Sequence, residues 1–204
     1  MAMRPAIFLD KDGTVLADVP YNTRPERMCF APGAAVGLAL LATTGLPLVV
    51  ISNQPGVALA RFSIDELQGV HKRLEEMFAE AGARLAAFYF CPHHPDGVHP
   101  DYARVCDCRK PAPGLLHAAA GAMSIDLASS WFIGDILDDV EAGRRAGCRT
   151  VLLDNGNETE WRGGPWRWPD RMEKNMEGAG RWIVHCLAGG DRRGSPAHAT
   201  GAPA

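Results

Sequence analysis

Between residues 6 and 153 short, compact apolar runs alternate with helix-length amphipathic stretches, and this alternation restricts the chain to few folds. The runs 6–9, 48–51, 87–90, 131–133 and 150–153 have the composition of strands buried on both faces of a parallel sheet. Between them, Ser63 and Glu66 have capping-box spacing, and Ile64, Leu67, Val70, Leu74, Met77 and Phe78 follow at three- and four-residue steps. A further helix is expected from Pro113, a residue suited to a first turn, through Leu115, Leu116, Ala119 and Met123. Another spans 138–146 with Gly147 as its stop. The long apolar stretch 34–51 is cut by Thr43, Thr44, Gly45 and Pro47, so it reads as a buried helix followed by a strand rather than a membrane span. The resulting βαβαβαβαβ order requires right-handed crossovers. It predicts an α/β three-layer sandwich with a central, mainly parallel sheet, whose ligand site lies beyond the carboxyl ends of the strands.

A chain of 204 residues has the length of one domain, expected over 1–187. Past residue 155 the pattern decays; an edge strand is expected at 182–184, and 188–204 reads as a disordered tail. A net charge of −3 argues against nucleic-acid and anionic-membrane partners. The opening residues lack the apolar region of a signal peptide, so a cytoplasmic chain is expected.

Polar clusters placed directly after strands carry the chemistry. The first run ends in Asp10-Lys11-Asp12-Gly13-Thr14. Two carboxylates at i and i+2 can divide labour, one ligating Mg²⁺ and attacking an electrophile, the other delivering a proton. Taken alone, Asp-x-Asp-Gly also reads as a turn with a helix cap. Asp135 follows the fourth run, and oxygen ligands from two loops suit a hard cation. Ser52, Asn53 and Gln54 follow the second run, where a simple helix cap is the plainer reading of Ser52. Arg109-Lys110 precede a helix: Lys110 can neutralise phosphate oxygens, and Arg109 can grip a second phosphate or a hydroxylated ligand.

Of the 6 cysteines, Cys91, Cys106 and Cys108 cluster with His93. C-x-H and C-x-C pairs form the Cys₃His set of a closed tetrahedral Zn²⁺ site, with His94 and His99 as alternatives to His93. Four protein ligands leave no open position, so this zinc is expected to be structural, stapling a polar loop that cannot fold on apolar contacts. Cys29, Cys148 and Cys186 have no such neighbours in sequence and read as core or surface residues.

In this order, D-x-D-G-T, a Ser after the second strand, a Lys before a helix and G-D-x-x-x-D resemble the haloacid dehalogenase (HAD) superfamily of phosphotransferases. The resemblance implies a HAD-like Rossmannoid fold, with Asp10 as nucleophile forming an aspartyl-phosphate and Asp12 as general acid, then base. Ser52 and Lys110 would hold the phosphoryl oxygens. Asp10, the Asp12 carbonyl and Asp135 would bind Mg²⁺, supported by Asp139. Together with S-N-Q, C-P-H-H-P and C-D-C-R-K-P, these motifs resemble the D-glycero-D-manno-heptose 1,7-bisphosphate phosphatases and the related histidinol-phosphate phosphatases. The longer His93-to-Cys106 loop and the second His after Cys-Pro favour the heptose branch. That branch implies a small, capless, monomeric enzyme for a phosphorylated sugar that feeds cell-surface glycans, lipopolysaccharide among them. Asp18 and Tyr21, with Asn53 and Gln54, would line the sugar end. One departure is Ile136, where the heptose enzymes usually carry Lys. The rival classes are another sugar-phosphate phosphatase, a nucleic-acid 3′-phosphatase and a non-catalytic zinc-binding module. Trp161, Trp166 and Trp168 read as surface packing or a sugar-stacking strip.

Overall fold

In the computed structural model, which describes residues 3–190, the five apolar runs become β1 (Ile7–Leu9), β2 (Leu48–Asn53), β3 (Leu85–Cys91), β4 (Trp131–Gly134) and β5 (Arg149–Leu153). With a short β6 (Arg171–Glu173) they form a six-stranded parallel sheet of order β3-β2-β1-β4-β5-β6. The helices are α1 (Ala34–Ala42), α2 (Glu66–Glu80), α3 (Gly114–Met123), α4 (Leu137–Ala146) and α5 (Met176–His185).

The pleat sends successive side chains to opposite faces, so each strand serves two cores. Ile7, Leu9, Val50 and Ile133 pack with Leu38 of α1, Leu74 of α2 and Ile183 of α5. Phe8, Val49, Ile51 and Phe132 pack on the other face with Leu115 and Leu116 of α3 and Ala142 of α4. The expected three layers are therefore present. Strand order reverses about β1, which pairs with β2 on one side and β4 on the other. Loops leaving β1 and β4 diverge at that point and open a crevice beyond the sheet.

Helix ends differ in detail from the expectation. Helix α2 starts at Glu66, whose Oε2 accepts from the Ser63 amide at 2.8 Å, so half of the capping box forms while Ile64 stays outside the helix and exposed. Pro113 is the N-cap of α3 rather than its first residue. Gly147 ends α4 with φ +89, as expected.

The edge strand expected at 182–184 is a correction: those residues belong to α5. Trp-Ile-Val has local β character, but Met176, Ala179, Gly180 and Ile183 recur at helical spacing and are buried, and the Asn175 side chain caps the helix by accepting from Gly178 N at 3.0 Å. Gly37 of α1 and Gly180 of α5 let these helices approach closely. Strand β6 was not foreseen because Arg-Met-Glu is a polar edge segment with no apolar run. The tail expected from 188 lies outside the described residues beyond Gly190; its first residues continue α5 in one wide turn. Among the described residues no helix is long and apolar enough to cross a membrane.

Alanine in a helix interior normally stabilises relative to glycine. At Gly37 a Cβ would meet the Met176 carbonyl at 2.5 Å, backbone that cannot step aside cheaply. Gly37→Ala is expected to destabilise the fold by about 1–3 kcal/mol in urea unfolding. A stabilised variant would contradict the close packing of α1 on α5.

Candidate active site

The loop after β1 continues the ladder for one more bond, Asp10 N donating to Ile133 O at 2.9 Å. It then turns sharply, with Gly13 at φ +83 and Leu16 N donating to Lys11 O at 2.8 Å. A Cβ on Gly13 would strike the Asp135 carboxylate, so glycine serves both the turn and the contact. Asp10 and Asp12 from this loop, Ser52 and Asn53 from the end of β2, Lys110 from the loop before α3, and Asp135 and Ile136 after β4 line one cavity of about 190 Å³. Asp18 and Asn157 complete its wall. A second cavity of about 240 Å³ shares Asp12, Asp18 and Asn53 and continues outward past Tyr21, Gln54 and Phe62.

Lys110 is buried; its ammonium contacts Asp10, lies 2.6 Å from Asp139 Oδ1 and donates to Ile51 O at 3.3 Å. Burial alone would lower its pKa, but Asp10 and Asp139 outweigh that and hold it above the ordinary lysine value. Asp10 is driven well above the usual carboxylate range by burial, with Asp139, Asp135 and Asp12 adding to the effect and Lys110 opposing it. Burial, reinforced by Asp139, pushes Asp135 up to about 6 against hydrogen bonds from Asn157 and Thr14. Among the described residues the Lys110 ammonium is the sole partner of Asp139 Oδ1. Asp139 Oδ2 accepts from the Asp135 and Ile136 amides, each at 3.3 Å, so Asp139 ties the start of α4 to Lys110.

Carboxylate oxygens of Asp10, Asp135 and Asp139 lie within 4.8 Å of one another. Three buried acids facing one ammonium leave negative charge in excess, and for Asp10 and Asp135 that excess adds to the larger effect of burial in raising their pKa values. A hard divalent cation coordinated by oxygen fits this deficit, with Asp10 and Asp135 as donors and Asp139 already engaged by Lys110.

The remaining candidates divide. Asn53 clasps the Lys110 backbone at both ends, accepting from Lys110 N at 3.0 Å and donating to its carbonyl at 3.1 Å, while still bordering both cavities. Gln54 Nε2 donates to Asp12 Oδ2 at 3.1 Å and to Ser52 Oγ at 2.8 Å. Lys11 pairs with Asp12 Oδ1 at 3.0 Å. Asp18 lies on the wall shared by the two cavities, its pKa raised by partial burial and then by Asp12. Arg109 lines neither cavity, and its Nη1 is buried without a hydrogen-bond partner among the described residues.

The loop after β5 was passed over in the sequence. Asn157 Nδ2 donates to Asp135 Oδ2 at 2.8 Å, opposite Thr14 Oγ1, which donates to Oδ1 at 3.0 Å. Asn155 Nδ2 donates to Gly13 O at 2.8 Å, and Glu158 Oε2 accepts from Leu137 N at 2.7 Å. The signal was present: a polar run, DNGNE, directly after a strand.

The second cluster lies on the 91–108 loop. Cys91, Cys106 and Cys108 Sγ atoms are 3.2–3.6 Å apart, and His93 Nδ1 lies 3.6 Å from Cys91 and 3.3 Å from Cys108. Tetrahedral Zn–S bonds of about 2.3 Å imply sulfur separations of roughly 3.8 Å, close to these and far from a disulfide. His94 and His99 turn away, their Nδ1 atoms accepting from Asp96 N and Asp101 N. Burial pushes the Cys91 and Cys108 thiols up, whereas for Cys106 hydrogen bonds from Cys108 and the Arg109 amide outweigh burial. Burial and then Arg104 lower His93, keeping it neutral as a ligand must be. Arg104 Nη2 lies 2.7 Å from His93 Nε2, which must carry the ring proton once Nδ1 binds a metal, so that contact has to open on loading.

Residues 107–177 match the family model described as HAD-hydrolase-like. The D-glycero-beta-D-manno-heptose-1,7-bisphosphate 7-phosphatase of Yersinia pestis is 34% identical over 90% of this chain and 92% of its own. The D-glycero-D-manno-heptose-1,7-bisphosphate 7-phosphatase of Thermosynechococcus vestitus is 38% identical over 91% of this chain and 98% of its own. Among solved structures, the D,D-heptose 1,7-bisphosphate phosphatase of B. bronchiseptica, complexed with magnesium and phosphate, is similar at a TM-score of 0.76 and 28% identity, covering 89% of this chain and 98% of its own.

Two outcomes test the clusters. Asn157→Ala is expected to weaken Mg²⁺ binding about tenfold in calorimetric titration, as loss of a partner behind a ligand does; unchanged affinity would reduce Asn157 to packing. Cys106→Ser is expected to release zinc on purification and lower the unfolding midpoint, and full metal stoichiometry would remove Cys106 from the ligand set.

Proposed function

This chain belongs to the family of HAD-like D-glycero-D-manno-heptose-1,7-bisphosphate 7-phosphatases, and we propose that it hydrolyses the 7-phosphate of that sugar bisphosphate through a phosphoryl-Asp10 intermediate. One observation carries the reading: Asp10, Asp12, Ser52, Lys110 and Asp135, drawn from four separate segments of the chain, face a single cavity at the carboxyl edge of the sheet.

In this scheme an Asp10 oxygen attacks phosphorus while the bond from phosphorus to the sugar oxygen breaks, and Asp12 gives that oxygen its proton. Water then attacks the phosphoryl-Asp10, Asp12 takes up the water's proton, and inorganic phosphate leaves. Lys110 and the Ser52 hydroxyl balance charge on the phosphoryl oxygens, which is most of what phosphoryl transfer asks of a protein. Both Asp12 oxygens now accept, from Gln54 and from Lys11, the arrangement of a base; to deliver a proton the side chain must let go of one of them. Asp10, the Asp12 carbonyl and Asp135 would hold Mg²⁺, which supplies positive charge that keeps Asp10 ionised and draws the phosphate in. Cys91, His93, Cys106 and Cys108 would hold Zn²⁺ as a closed structural site.

The sugar would extend into the outer cavity between Asp18, Tyr21 and Gln54, with Arg109 on the phosphorylated substrate from outside the two walls. Asp18 is also the acidic contact that the amine of histidinol phosphate would need, and it keeps that substrate as the second reading. The same reading has the enzyme acting as a monomer in the cytoplasm.

The deciding measurement is phosphate release from both anomers of heptose 1,7-bisphosphate, fructose 1,6-bisphosphate, histidinol phosphate and a 3′-phosphorylated oligonucleotide, with Mg²⁺ and then with EDTA. A heptose bisphosphate is expected to lead by orders of magnitude and to lose turnover in EDTA. Asp10→Asn is expected to cut kcat by on the order of 10⁴-fold or more with the fold retained. Residual turnover near wild type would exclude Asp10 as nucleophile, and feeble release from both heptose esters would move the substrate elsewhere.

A further inference from the structure

The proposed substrate carries two phosphates, and the inner cavity can serve only one of them. Its ammonium, Lys110, is held between Asp10 and Asp139, and Lys11 on the adjoining wall is paired with Asp12 at 3.0 Å. Ile136 adds an apolar residue to the lining, and Asp18 adds a further carboxylate. A second dianion placed there would meet net negative charge.

A different cation stands beside the outer cavity. Tyr21 and Phe62 line that cavity, and Arg61 lines the neighbouring pocket that shares Phe62 with it. The Arg61 guanidinium lies over the Tyr21 ring, 5.7 Å from its centroid. Arg61 is exposed and, among the described residues, forms no ion pair with a carboxylate. The 56–61 turn that presents it is closed by Arg61 N donating to Gly56 O at 2.8 Å and Ala60 N donating to Val57 O at 3.1 Å.

The backbone on both sides of this contact is unusual. Among the described residues, Tyr21 at φ 55 and Ala60 at φ 52 are two of the three non-glycine residues with positive φ; the first carries the ring and the second directly precedes Arg61. Backbone of this kind costs about 1–3 kcal/mol per residue and persists only where the surrounding structure holds it.

We propose that Arg61, positioned on the Tyr21 ring beside the outer cavity, is a specificity residue, additional to Arg109, that binds the non-reacting phosphate of the substrate. An unpaired guanidinium offers that dianion a planar fork of donors, and the ring beneath limits its rotamers before the substrate arrives. This assignment rests on the bisphosphate reading above. Because the distal phosphate takes no part in bond breaking, the contact acts on ground and transition states alike, so its signature is in KM rather than kcat.

The test compares heptose 1,7-bisphosphate with heptose 7-phosphate, which lacks the distal anion, on the full chain and on Arg61→Ala and Arg61→Lys. Arg61→Ala is expected to raise KM for the bisphosphate about 10–100-fold, the range for losing hydrogen bonds to a charged group. The loss in kcat/KM is expected to be at least about tenfold greater on the bisphosphate than on the 7-phosphate, and Arg61→Lys to recover part of it. Equal losses on both esters, a loss confined to kcat, or no loss would overturn the assignment while leaving the heptose reading intact. If the unaltered chain turns over neither heptose ester yet hydrolyses p-nitrophenyl phosphate, the heptose reading fails, and the role of Arg61 falls with it.

Discussion

The buried ammonium of Lys110 is the interaction on which the site depends. It bridges Asp10 at the end of β1 and Asp139 in the first turn of α4, and it reaches the carbonyl of Ile51 at the end of β2. Three elements that diverge beyond the sheet are thus pulled onto one charge. Breaking a buried pair from one side leaves an uncompensated charge and costs about 3–5 kcal/mol, so the site and the fold around it share their stability. The same ammonium partly offsets the crowding of carboxylates that burial would otherwise drive to their neutral forms.

Lys110 is itself held by its neighbours. Asn53 grips its backbone at both ends, and the Cys/His cluster stops only two residues earlier, at Cys108. A metal there would order a long polar loop and, with it, the segment that delivers Lys110. On the opposite wall the loop after β5 plays a matching part. Asn155 braces the Gly13 turn and Asn157 braces Asp135, so the turn after Asp12 and the Asp135 carboxylate are both held by one short segment.

Much of this was legible because buried parallel strands announce themselves and their ends are where chemistry collects. Asp10 and Ser52 follow an apolar run directly and Asp135 follows one after a single glycine, and all three reach the same cavity. The errors have physical causes. Trp182-Ile183-Val184 has the local look of a strand, yet burying Ile183 beside Met176 and Ala179 against α1 requires a helix. Strand β6 gives no apolar signal because it is a half-exposed edge. Asn157 was overlooked since its importance comes from the position of β5 beside β4, which sequence spacing does not state.

By itself the sequence determined the types and order of the first nine elements, the residues placed at the strand ends, and a thiol-imidazole set spaced for a metal. Local patterning suffices for these, because strand, helix and turn preferences act over a few residues. Only the tertiary structure decided which of these groups meet. It chose His93 over His94 and His99, placed Lys110 on an acid 100 positions away, and set Arg61 over Tyr21. Such pairings follow from strand order and crossover packing, which bring together residues whose separation along the chain carries no information about their distance in space.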